Sequence, residues 1–64
     1  MRVEAHWADG RFETTETDYE IVAFGVAHQA ITDGAVVSNV LDDQGVLVAS
    51  IEVGSDDVTY FNEG

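Results

Sequence analysis

The chain has 64 residues, thirteen aspartates and glutamates against two arginines, and neither cysteine nor proline, for a formal charge of −11. A body this small buries only about 60% of its unfolded surface, so it needs a reinforcement such as disulfides, a structural metal or association. The missing cysteine excludes disulfides and thiolate zinc sites, and His6 and His28 alone are too few for an ordinary structural zinc site; association remains, and a homodimer is expected.

Residues 2–16 read as a β-hairpin. "RVEAHW" alternates, with Val3, Ala5 and Trp7 on one face and Arg2, Glu4 and His6 on the other. Asp9-Gly10 is a favoured pair for a tight turn, and Phe12 and Thr14 continue the return strand. The apolar period then lengthens. Thr17 followed three residues on by Glu20 has the spacing of a capping box, which predicts a helix over residues 18–33 with Gly34 just past its end. Tyr19, Val22, Ala23, Val26, Ala27 and Ala30 share one helical face, Phe24 and Ile31 flank it, and Ile21 falls beside His28 on the polar side.

Residues 35–53 read as a second hairpin, turning through Asp42 to Gly45. Gly45 can adopt the positive φ that such loops require, and the aspartate side chains can accept nearby backbone N–H groups. A further turn over Gly54-Ser55-Asp56-Asp57 leads to a short strand or tail over residues 57–62. The expected fold is α+β: an antiparallel sheet of four or five strands with one amphipathic helix on one face, in the order ββαββ(β), forming a single domain over residues 1–64.

"LDDQG" concentrates carboxylates but lacks the alternating ligands and closing glutamate of a calcium loop, so a hairpin turn is expected there. Asp56, Asp57 and Glu63 read as a solvated acidic face. His6 and His28 are the side chains that titrate near neutrality, and they are the candidates for a metal pair or a general base. No nucleophile elbow, phosphate-binding glycine loop or cysteine is present, so a protein without catalysis or cofactor is expected.

Core filling is the default for Phe12 and Phe24, whereas Trp7 and Tyr60 combine large area with a polar tip that suits a partner-facing role. In the second hairpin, strict alternation puts Leu47, Ala49, Ile51 and Val53 on one face and Val46 and Val48 on the other, while Val37 and Leu41 oppose Val36 and Val40. One helix covers one side of a sheet, so apolar residues on both sides point to a partner for the second, the competing explanation being that β-propensity alone favours valine even at exposed positions. The candidate interaction residues are Trp7, Val46, Val48 and Tyr60. The function expected is a small non-catalytic protein-interaction module, homodimeric or bound to another protein. The alternative is a small-ligand or metal-binding accessory protein using His6, His28 and nearby carboxylates.

The absence of lysine and the abundance of aspartate, glutamate, valine and alanine resemble the proteins of salt-in halophilic archaea. The resemblance implies a potassium-rich cytoplasm and names no activity. The strand order and "VLDDQGVLVASI" also resemble small ββαββ proteins of bacteria and archaea. Two arginines cannot form a basic patch, which disfavours nucleic acid, and no run approaches the roughly 18 apolar residues of a membrane span. With no signal-peptide pattern either, a cytoplasmic location is expected. Because salt at about 1 M shortens the screening length to roughly 3 Å, the denaturation midpoint is expected to climb from dilute buffer to molar KCl. A midpoint indifferent to KCl in thermal or urea melts would refute this account of the acidity.

Overall fold

The computed structural model describes residues 1–54 and 58–60, in the order β1 (Arg2–His6), β2 (Phe12–Glu16), α1 (Glu20–Thr32), β3 (Val37–Leu41), β4 (Leu47–Glu52) and β5 (Thr59–Tyr60). All strands pair antiparallel in one sheet of spatial order β2-β1-β3-β4-β5, and α1 packs on one side of it, giving the α+β architecture. The proposed turn through Ser55-Asp56-Asp57, Glu63 and the ends of the 57–62 segment lie outside the described residues.

Local chemistry sets the turns. At the first, Asp9 Oδ1 accepts the Arg11 N–H at 2.9 Å and Gly10 takes φ +94. Trp7 and Arg11 then close the ladder at 2.8 Å. The helix starts at Glu20, two residues later than the capping box predicts. The Thr17 hydroxyl accepts the N–H of Tyr19 at 3.3 Å, one residue ahead of the helix, and Tyr19 itself stands at the N-cap with extended backbone. At the other end Gly34 has φ +114, a conformation that favours glycine, and the Ala35 N–H bonds the Ala30 carbonyl at 3.0 Å. This reversal buries Ala35 and delivers the chain to β3.

Cross-strand partners share a face, so the register fixes both sides of the sheet. Val3, Ala5, Ser38, Val40, Ala49 and Ile51 are buried, and Ala23 and Ala27 of α1 close over this face with no exposed surface. Ser38 is the buried polar residue there, and its hydroxyl donates to the Ala27 carbonyl at 3.0 Å. The alanines let helix and sheet approach closely. Tyr19 and Val22, predicted to share the packed face, are exposed, while Phe24, Val26 and Ile31 pack against the core from the flanks. A helix about 10–12 Å across spans roughly three strands spaced about 4.8 Å apart. α1 accordingly sits on β1, β3 and β4.

The opposite face carries three cross-strand rows. Glu16, Arg2, Leu41 and Leu47 form one, Thr14, Glu4, Asn39, Ser50 and Thr59 the second, and Phe12, His6, Val37 and Glu52 the third. A β-bulge shifts the β3–β4 register at Val40/Leu41, so Leu41 faces Leu47 while Val40 faces Ala49. Strict alternation therefore fails in β4: Leu47 leaves the Ala49 and Ile51 face, and Val48, predicted to point outward, packs against the core. The open face is thus less apolar than expected, with a polar central row in which the Ser50 hydroxyl bonds Asn39 Oδ1 at 2.9 Å.

The helix–sheet contact predicts that added bulk at its centre is not tolerated. Ala27→Leu is expected to lower stability in urea melts by about 1–3 kcal/mol, more than the same change at exposed Gln29; equal effects would show that α1 does not sit close at Ala27.

Candidate interaction surface

The strand farthest from the helix is the least sheltered part of the sheet. Every residue of β2 is exposed, and among the described residues nothing pairs with its outer edge. The hydrogen bonds at the two ends of the hairpin give the direction of its backbone groups. Met1 and Thr17 exchange both bonds, at 2.7 and 2.9 Å, and the Trp7 N–H bonds the Arg11 carbonyl. Bonded and non-bonded pairs alternate along an antiparallel ladder, so Glu13 and Thr15 face β1 while the N–H and C=O groups of Phe12, Thr14 and Glu16 point away from the sheet.

The side chains of β2 fall into two sets. Glu13 and Thr15 stand on the helix side and, with Val3, Ala5, Val26 and Ala30, line a cleft of about 160 Å³ between β2 and α1. Phe12, Thr14 and Glu16 stand on the open face. Phe12, expected in the core, is 58% exposed and stacks on His6 with ring centroids 5.5 Å apart. The Arg2 guanidinium holds Glu16 at 2.9 Å and lies 3.7 Å from Glu4, so its already high pKa is raised further, chiefly by the hydrogen bond to Glu16.

The four candidate interaction residues do not form one patch. Trp7 follows β1 in a half-buried position, capped by the Arg11 guanidinium 4.2 Å above the ring, with its indole nitrogen buried 3.5 Å from where a side chain on Gly34 would begin. Val46 is exposed at the opposite end of the strands, Val48 belongs to the core flank, and Tyr60 is 67% exposed beside Phe24 at 5.9 Å between centroids. His6 lies on the open face of β1 and His28 on the outer side of α1, so the sheet and helix layers separate them. Among the described residues, no three histidine or carboxylate side chains gather as metal ligands.

The carboxylates of "LDDQG" have structural partners. Asp42 Oδ1 accepts the N–H groups of Gln44 and Val46 at 2.8 and 2.9 Å, Gly45 takes φ +82, and Asp43 holds the Met1 ammonium at 2.7 Å. This is the expected hairpin turn, with one aspartate shaping it and the other binding the amino terminus. Among the described residues, no helix is long and apolar enough to cross a membrane. Comparison with family models, curated proteins and solved structures finds no match.

The sequence marks β2 as the return strand of the first hairpin but not as a candidate surface, because its residues are polar. The signal was nevertheless present: "FETTE" places Thr or Glu on both faces, which suits a strand sheltered on neither side. The Met1–Asp43 pair yields a pH prediction. Asp43 hydrogen-bonds the charged amine and raises its pKa above the ordinary 8.0. The pair therefore stabilises the fold below about pH 8 and loses that effect as pH climbs through the raised value. Asp43→Asn is expected to bring the amine back toward 8.0 in an NMR titration; an unmoved amine would show that Asp43 does not perturb it.

Proposed function

We propose that this chain is a non-catalytic protein-interaction module that works as a homodimer in a salt-rich cytoplasm. The supporting observation is the distribution of side-chain size. Among the described residues, five of the eight buried apolar ones are alanines, whereas Phe12, Tyr19, Ile21 and Tyr60 are exposed, Ile21 at 86%. Burying a large apolar side chain stabilises by about 1.5–3 kcal/mol, so covering an exposed side chain such as Phe12 in an assembly supplies free energy that the alanine-rich interior does not. Acidic groups keep the remaining surface hydrated and, in concentrated salt, screened from one another.

The alternative, a small-ligand accessory protein, gains nothing from His6 and His28, which the fold keeps apart. Its support is the cleft between β2 and α1, whose apolar floor carries Glu13 and Asp33 at its walls. Sedimentation equilibrium in molar KCl separates the two readings. The expected mass is twice the 6.9 kDa of one chain; a monomer across the accessible concentration range overturns the module reading.

A further inference from the structure

We infer that the β2 edge is the homotypic interface: two copies pair β2 to β2 antiparallel about a two-fold axis at Thr14, forming one continuous sheet. This deepens the homodimer reading and rests on it.

Three features of the strand support the assignment. Its outward backbone groups at Phe12, Thr14 and Glu16 have no partner among the described residues. Of the devices that keep an edge from pairing, "FETTE" has no proline, no lysine and no bulge, its charges being Glu13 and Glu16, and the β1–β2 register runs without a shift. The strand is also self-complementary. Centred on Thr14, Phe12 lies opposite Glu16 of the second copy, Glu13 opposite Thr15, and Thr14 opposite its own equivalent. All five residues overlap, and the outward groups supply about six backbone hydrogen bonds.

Sliding the register shows why this arrangement is favoured. One step in one direction sets Glu13 against Glu13, a like-charge pair that opposes pairing. One step in the other shortens the overlap, and a second sets Glu16 against Glu16. In the centred register Glu13 meets a threonine hydroxyl, and the Glu16 carboxylate is already held by Arg2 at 2.9 Å.

Long-range charge selects the same edge. Residues 1–17 carry four acids and both arginines of the chain, whereas residues 18–64 carry nine acids and neither lysine nor arginine. Two copies of so acidic a protein approach with least repulsion through the β1–β2 hairpin. The helices do not obstruct this approach, because α1 sits over β1, β3 and β4 and leaves β2 clear.

The test is disulfide mapping in molar KCl, using the absence of native cysteine. In a hydrogen-bonded antiparallel pair the Cα atoms lie about 5.5 Å apart, within disulfide range. Thr14→Cys is therefore expected to oxidise to a covalent dimer about 100-fold faster than Asn39→Cys at the centre of the open face, as effective concentrations near millimolar imply for thiols held together in a dimer. A mixture of Glu13→Cys and Thr15→Cys should cross-link to each other in preference to themselves. Thr14→Pro, which deletes one outward N–H at an edge position where proline fits, should give a folded monomer by circular dichroism and sedimentation.

If wild type is dimeric but Thr14→Cys cross-links no faster than Asn39→Cys, or folded Thr14→Pro stays dimeric, the interface lies elsewhere and the edge assignment falls while the homodimer stands. If wild type is monomeric, both fall. Should Thr14→Pro fail to fold, the cysteine pairs decide alone.

Discussion

Ala23 and Ala27 press the backbone of α1 onto β1, β3 and β4, and the width of a helix then decides which strands are sheltered. With five strands and one helix, the outermost strands must lie beyond its reach. At one edge Tyr60 leans on Phe24, so a ring–ring contact extends the cover to β5. At the other edge no comparable side chain reaches β2; the short residues Thr15 and Ala30 leave a cleft between strand and helix. The bare strand follows from small residues at the centre and short residues at that flank. Closeness of the helix and exposure of β2 are two results of one choice of side-chain size.

Charge is arranged on the same frame. Arg2 bridges Glu16 and Glu4 across the open face, and Arg11 lies over Trp7 at the hairpin tip. Both cations are thus spent within the first hairpin, each against a group that β pairing brings near. The second hairpin and the helix have no cation of their own. The Met1 ammonium reaches across to Asp43 in the β3–β4 turn. The two hairpins are therefore joined by backbone pairing of β1 with β3 and by one exposed ion pair, of the kind that contributes little to stability.

The elements whose cause is local were legible in the sequence. Asp9-Gly10 and Asp42 to Gly45 specify their turns by side-chain acceptors and positive φ, and Gly34 ends the helix for the same reason. The alternation of β1 correctly separated Val3 and Ala5 from Arg2, Glu4 and His6. What failed depends on tertiary context. Tyr19 and Val22 fit the apolar period but lie outside the strip that reaches the sheet. Phe12 belongs to an uncovered strand, which no property of Phe12 discloses. Val48 was placed outward by counting in twos, and the bulge opposite Val40/Leu41 breaks the count. The outer edge of β2 was overlooked because a polar strand offers no hydrophobic signal, and its outward backbone groups, without a partner among the described residues, show only in the fold.

The alanine-rich interior has a thermal consequence. Immobilising an alanine costs no rotamer entropy, so ordering Ala5, Ala23, Ala27, Ala35 and Ala49 draws almost entirely on the backbone. Little hydrocarbon is wetted when such an interior opens, and the heat-capacity increment of unfolding, which tracks newly hydrated apolar area, is correspondingly small. A small increment flattens the dependence of stability on temperature.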